Sequence, residues 1–168
     1  MKTRVRWLAA AAAFSLVAGL FGCAVSRQQT AVGRLEVVAF MAPFMEFVLA
    51  DDWESAFAEI DIDNLVNYGR PQGEFYRRLP EEKKMRYRRD FIQGIYLYLY
   101  GAMPREKAGE PKLYLSEDPL SVEVSGKSKD KRLHFHLENR SEGLKIVRIE
   151  KAAGPPPRTV PSPGDNRG

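Results

Sequence analysis

The chain is 168 residues long, with 26 lysines and arginines, 22 aspartates and glutamates, and a single cysteine, Cys23. One cysteine excludes an intramolecular disulfide. Three of the bases, Lys2, Arg4 and Arg6, precede Cys23; the rest of the chain sets 23 bases against 22 acids and offers no bulk positive field for nucleic acid.

The first element is an apolar run. Trp7 to Phe21 carries no charge, is rich in alanine (Ala9 to Ala13), and is shorter than the ~20 residues of a spanning helix. Basic residues before such a run stay on the cytoplasmic side, so the following chain faces outward. The run closes on Leu20-Phe21-Gly22-Cys23, and the arrangement resembles a bacterial lipoprotein signal. That resemblance implies a signal peptide over 1–22 that is removed, and a Cys23 thiol acylated with a diacylglyceryl group beside an N-acyl chain, since more than one chain is needed for stable anchoring. Phe21 departs from the small residue that such signals prefer two positions before the cysteine. An uncleaved anchor, favoured by the uncharged stretch to Val25, and an ordinary signal peptide are the alternatives; both still export the domain. Ala24 stands where aspartate marks inner-membrane retention in many Gram-negative bacteria. The resemblance therefore implies a lipid-anchored, periplasm-facing protein of the cell envelope, at the outer membrane.

Residues 23–33 read as a lipidated tether, 34–153 as one α+β domain, and 154–168, with Pro155-Pro156-Pro157, Pro161 and Pro163, as a disordered or polyproline tail. Within the domain, Val37, Met41, Phe44, Met45 and Val48 recur at helical spacing, with Pro43 expected to kink or divide the helix. Asp51 or Asp52 caps a short helix carrying Trp53, Ala56, Phe57 and Ile60. The stretch from Ile62 to Tyr68 is ambiguous between helix and strand, and Gly69 to Gly73 reads as a loop. Pro80-Glu81-Glu82 opens a long helix that Gly101 and Pro104 end, with proline suited to its first position. Met85, Arg88, Phe91, Ile92, Ile95 and Leu99 share one side of it. Tyr87, Tyr96, Tyr98 and Tyr100 add an aromatic girdle, read as core with a polar rim.

After Pro111 the period changes from helical to alternating. Strands are predicted over 113–115, 120–125, 132–138 and 144–150, joined by turns at 126–131 and 139–143. Leu133, Phe135 and Leu137 fall on one sheet face, and His134, His136 and Glu138 on the other. Helices first and strands second predict an α+β fold, with the N-terminal helices packed on one face of a curved C-terminal antiparallel sheet. Asp51-Asp52-Trp53 after a helix, the long helix, and the closing run Glu142-Gly143-Leu144-Lys145-Ile146-Val147-Arg148-Ile149-Glu150 resemble nuclear transport factor 2-like domains. Many of those end in a Gly-Trp-Lys-Ile run, and Leu144 replaces the tryptophan here. The basic helix before such a sheet also resembles the periplasmic phospholipid-carrier family of the toluene-tolerance type. Both resemblances imply a cone able to hold an apolar ligand, and neither implies a reaction.

Charge is unevenly placed. From Leu35 to Gly69 there are eight acids and no base; from Arg70 to Arg105 there are nine bases and four acids. The two segments are expected to pair with each other. The alternative is that the cluster running from Arg77 to Arg89, in particular Lys83, Lys84 and Arg86, contacts anionic or lipid head groups.

His134-x-His136 with Glu138 has the spacing for ligands in line on a strand, but alternation of polar outer residues explains it without a metal. Asp61-x-Asp63-Asn64 lacks the further ligands, glycine and closing glutamate of a calcium loop and reads as a solvated acidic turn. No catalytic, metal or cofactor-binding residue is assigned. The expected function is a non-catalytic envelope lipoprotein that binds a partner protein or small ligand, attached to the membrane by its lipid and with no nucleic-acid partner. A periplasmic carrier of phospholipid or another apolar ligand is one alternative. A small enzyme of the isomerase or dehydratase kind, with Asp90 as base, is another.

Overall fold

The computed structural model describes residues 33–154. The expected signal peptide over 1–22, Cys23, the expected tether up to residue 32 and the expected tail beyond Gly154 lie outside the described residues.

Helix α1 covers residues 33–50. Val37, Met41, Phe44, Met45 and Val48 form its fully buried stripe. Pro43 does not divide it, so of the two outcomes expected there the division does not occur. Pro43 and Ala39, whose carbonyl loses its intrahelical donor, are both exposed. On that exposed side the freed carbonyl is open to solvent, and the buried stripe favours helix on both sides of the proline. Asp51 then adopts a left-handed φ of 63° and the Asp52 amide bonds back to the Phe47 carbonyl at 3.0 Å, which stops the helix. Asp52 caps α2 (Trp53–Ala58) by accepting the Ser55 amide at 3.1 Å. That bond from Ser55 holds the Asp52 carboxyl below the usual range.

Residues 62–73 resolve into a hairpin and the start of a helix. Strands β1 (Val66–Asn67) and β2 (Arg70–Pro71) pair antiparallel around Tyr68 and Gly69, whose φ values of 47° and 74° give the tight turn such hairpins favour. Pro71 is tolerated because β2 is an edge strand. The Gly69–Gly73 loop expected from composition is thus half strand. A short helix α3 (Gly73–Arg78) follows. Gly73 is required there, since a Cβ would lie 2.3 Å from the Asp63 carbonyl oxygen.

Helix α4 (Glu81–Tyr100), with 20 residues, is the longest element among the described residues. Pro80 occupies its N-cap rather than its first turn, and offers its carbonyl to the Lys83 amide at 2.9 Å. Ile92, Ile95, Tyr96, Leu99 and Tyr100 are buried. Met85, placed by periodicity on the same side, is 64% exposed, and the first turns of α4 instead pack through Lys84 and Tyr87 against Tyr76. A 3-10 turn (Arg105–Lys107) leads into strands β3 (Lys112–Leu115), β4 (Ser121–Ser125), β5 (Arg132–Arg140) and β6 (Gly143–Lys151).

The fold is α+β, with helices in the N-terminal part and a curved, open six-stranded sheet ordered β2-β1-β6-β5-β4-β3. Strands β3 to β6 are antiparallel neighbours as expected. The complete sheet is mixed, because β1 runs parallel to β6. Val147 is the extra residue of a bulge opposite the His136–Leu137 step, a device that bends and twists a strand. Leu133, Phe135 and Leu137 face the helices with no exposure, and Phe135 meets Phe44 edge to face at 5.8 Å. Phe44, Phe135, Met41 and Met45 fill the space between α1 and the sheet. Among the described residues, no helix is long and apolar enough to cross a membrane.

Candidate functional site

A pocket of about 510 Å³ opens between the C-terminal end of α4 and the β4–β5 turn. One wall is Leu99 and Tyr100 with the segment running on through Met103 and Pro104; the other is Lys127, Ser128 and Lys131.

Each wall is fixed by bonds that the local sequence supplies. Gly101, with φ 67°, turns the chain out of α4 and bonds the Leu97 carbonyl at 2.9 Å. The Tyr96 hydroxyl donates to the Met103 carbonyl at 2.6 Å. Two residues on, the Arg105 guanidinium stacks on the Tyr96 ring at 4.1 Å, donates to the Val48 carbonyl and the Gln93 side chain, and reaches Asp51 at 2.6 Å. It thereby closes the C-terminus of α1, whose last carbonyls have no helical partner. On the opposite wall, the Lys127 amide bonds the Leu99 carbonyl at 3.2 Å, the Lys131 amide bonds the Ser128 carbonyl at 3.2 Å, and the Ser128 hydroxyl accepts the Asp130 amide at 3.3 Å. Gly126 lies against the Tyr100 ring so closely that a Cβ would sit 2.9 Å from it and 2.7 Å from the Leu99 carbonyl oxygen.

Tyr100 stacks on Tyr96 at 5.2 Å. Burial, with the neighbouring Tyr96 adding to it, pushes the Tyr100 phenol up to about 12. It stays a protonated donor at neutral pH.

The residues singled out by sequence go elsewhere. Asp90 is 61% exposed and pairs with Arg86 at 3.4 Å. It sits on the solvent side of α4, away from the pocket. Lys84 pairs with Glu81 one turn back, and Lys83 is exposed. Arg77 bonds Asp63 at 2.6 Å, the one pair among the described residues that links the basic cluster from Arg77 to Arg89 with the acidic segment. Three other acids of that segment turn to different bases: Glu59 to Lys145 at 3.3 Å, Asp61 to Arg140 at 2.9 Å, Asp51 to Arg105. Asp61 also accepts from Asn64 at 2.8 Å, so the Asp61–Asn64 motif is a cross-linked turn. Tyr76, Tyr87, Phe57 and Phe91 form a small aromatic core under α4, in which Arg88 donates to the Tyr76 hydroxyl at 2.6 Å.

His134 and His136 lie on the outer sheet face with separate partners. His134 is 3.9 Å from Glu123. His136 Nδ1 lies 2.8 Å from Ser121 Oγ and 3.0 Å from Asp118 Oδ2, and Ser121 Oγ donates to the same Asp118 oxygen at 2.8 Å. A serine, a histidine and an aspartate thus meet. Both oxygens face one ring nitrogen, whereas a proton relay needs serine and acid on opposite nitrogens. Ser121 is 2% exposed, which closes it to a substrate. The cluster cross-links β4 and β5.

Lys127, Ser128 and Lys131 were not singled out by sequence, where 126–131 reads as a turn. The available signal was three lysines in five residues, Lys127, Lys129 and Lys131. No family model, curated protein or solved structure matches this chain.

Proposed function

We propose that this chain is an exported bacterial envelope lipoprotein, anchored through Cys23, whose α+β domain is a non-catalytic module that binds a small ligand at the α4 pocket. The pocket is the observation that carries the ligand-binding part. Its volume of about 510 Å³ falls in the ~300–1,000 Å³ range of small-molecule sites, which mix an apolar lining with a few placed polar groups. The anchoring part is supported by the N-terminal pattern and by Cys23 standing alone at its end.

A nuclear transport factor 2-like relationship is supported by the order of elements and by a long helix laid on the sheet. The ligand reading does not use the interior of such a cone, which Phe44, Phe135, Met41 and Met45 occupy. A carrier role in the periplasm is the second reading. Apolar Leu99, Met103 and Pro104 facing two lysines favour it.

Expression of the full chain in a Gram-negative host with fatty-acid labelling tests the anchor. The parent should be cleaved and labelled, and Cys23→Ser should leave unlabelled precursor. Normal processing with acyl label in that variant would sink the lipoprotein reading. Native mass spectrometry of the parent tests the ligand site, with an adduct of small-molecule mass expected on the freshly isolated protein.

A further inference from the structure

Tyr68 carries a bulky side chain at a left-handed φ of 47°, in a hairpin turn where asparagine or glycine would sit without strain. Its ring is exposed and lies across the Lys151 ammonium from Tyr98, each ring centre 5.6 Å from the nitrogen. Further along the hairpin, Gln72 accepts the Tyr87 hydroxyl at 3.0 Å, and Phe75 packs on the Tyr87 ring at 5.8 Å. The chain from Tyr68 to Phe75, edge strand β2 included, therefore runs beside α4 from Tyr98 to Tyr87. Those two tyrosines are eleven positions apart, about three turns and about 16 Å along one side of the helix.

Gly94 lies on that same side of α4 and is exposed. Glycine in a helix interior is destabilising relative to alanine, and packing within the domain does not ask for it, since a Cβ at Gly94 would meet no atom within 4 Å. An open trough thus runs along α4, with Gly94 as its floor, Tyr87 and Phe75 at one end, and Tyr98 and Tyr68 at the other. Of the five large apolar side chains exposed among the described residues, Tyr68, Phe75 and Leu97 border it.

Aromatic-lined grooves take polyproline II segments, whose extended shape is set before they bind. This chain carries one: Pro155-Pro156-Pro157-Arg158-Thr159-Val160-Pro161-Ser162-Pro163. The described chain stops at Gly154, three residues past Lys151 at the Tyr98–Tyr68 end of the trough, and the left-handed φ of 80° at Gly154 turns it out of the line of β6. From Gly154 to Pro163 a polyproline II chain reaches about 28 Å. The path back to Lys151 is at most about 11 Å and the trough adds about 16 Å, so the reach matches the path. Asp90, one turn before Gly94 and held only by an exposed pair with Arg86 at 3.4 Å, supplies an acid beside the floor for Arg158.

We propose that residues 155–163 dock as a polyproline II segment in this trough of their own domain, running from the Tyr98–Tyr68 end toward Tyr87 and Phe75. Neither Cys23 nor the pocket at the end of α4 takes part.

The test places the photo-cross-linker p-benzoylphenylalanine at Val160 of the full chain in neutral detergent and maps the products by peptide mass spectrometry. Cross-links should fall within residues 66–75 or 87–98, at the mass of one chain. Changing Pro157, Pro161 and Pro163 together to alanine should lower their yield by about fivefold. Two further variants carry little folding risk. Gly94→Gln puts a good helix former into the trough, and Tyr68→Asn places a residue that tolerates the left-handed φ; both should leave the protein at least as heat-stable while lowering the yield by about threefold or more. A lower melting temperature in Gly94→Gln would show that glycine there serves packing and would remove the reason for the trough. Cross-links elsewhere, none at all, or products only at twice the chain's mass would overturn docking of the tail on its own domain. Full yield in both Gly94→Gln and Tyr68→Asn would refute the trough as the docking site.

Discussion

Arg105 is the residue on which the pocket's outer wall and the end of α1 both depend, and its removal has a calculable cost. The guanidinium satisfies the Val48 carbonyl at the C-terminus of α1, pairs with Asp51 at 2.6 Å and stacks on Tyr96 at 4.1 Å, with its side chain only 21% exposed. A cation at a helix C-terminus contributes ~0.3–1 kcal/mol, a partly desolvated cation–π contact ~0.5–2, and hydrogen bonds to charged groups ~1.5–3. These contributions overlap, so Arg105→Ala should cost about 2–4 kcal/mol, and about 10 °C in melting temperature for a domain of this size. Two companion changes separate the causes. Arg105→Lys keeps the charge but loses the planar fork and should recover about half the loss. Asp51→Asn removes the exposed ion pair and keeps a residue that tolerates the left-handed φ of 63°, so it should cost under ~1 kcal/mol. Urea unfolding followed by circular dichroism measures all three. An Arg105→Ala protein within ~0.5 kcal/mol of the parent, or an Asp51→Asn protein as unstable as Arg105→Ala, would show that the carbonyl closure and the stacking contribute nothing and that the account of this wall is mistaken.

Two further outcomes bear on the sheet. Phe135→Ala deletes a fully buried ring packed on Phe44 and should cost ~3–5 kcal/mol, whereas His134→Ala on the outer face should stay within ~0.5 kcal/mol by the same unfolding assay. Equal costs would mean that the two faces of β5 are not distinguished by burial. Asp118 is a pH reporter: burial alone would raise its carboxyl, but the Leu120 amide, the Ser121 hydroxyl and His136 together hold it below the usual range. The stability it contributes is therefore present above the unfolded carboxyl value of ~3.9 and is lost as pH falls below it. Asp118→Asn should shrink the stability difference between pH 7 and pH 3, and an undiminished acid limb in that variant would refute the linkage.

The parts of the fold that were legible in the sequence are those whose burial repeats with a period. Leu133, Phe135 and Leu137 alternate with His134 and His136, and the structure buries the first set completely while leaving the second partly exposed. The same holds for the stripe of α1 from Val37 to Val48. What escaped was too short to carry a period. Strands β1 and β2 have two residues each and α3 has six, so their identity is set by pairing with β6 and by Gly73 lying against Asp63 rather than by local pattern. Met85 shows the opposite failure: its spacing is correct for burial, but at that end of α4 the aromatic cluster meets Lys84 and Tyr87 instead. The pocket was invisible for a third reason. Its walls, around Met103 and around Lys127, are apart in the chain and meet only because β4 and β5 run beside α4, so nothing in either segment marks it as half of a site.

The fate of the charges follows from distance. The acidic segment from Leu35 to Gly69 and the bases from Arg70 to Arg105 look complementary on paper, yet two of the five bases of α4 pair on their own helix, where i to i+3 and i to i+4 neighbours are already within reach, and none of the five pairs with the acidic segment. Lys84 finds Glu81 and Arg86 finds Asp90 in that way. The acids are met instead by bases that the β1–β6 pairing brings to their end of the sheet, Arg140 and Lys145, and by Arg105 at the end of α1. Those contacts hold the N-terminal half of the domain to the strands that follow it.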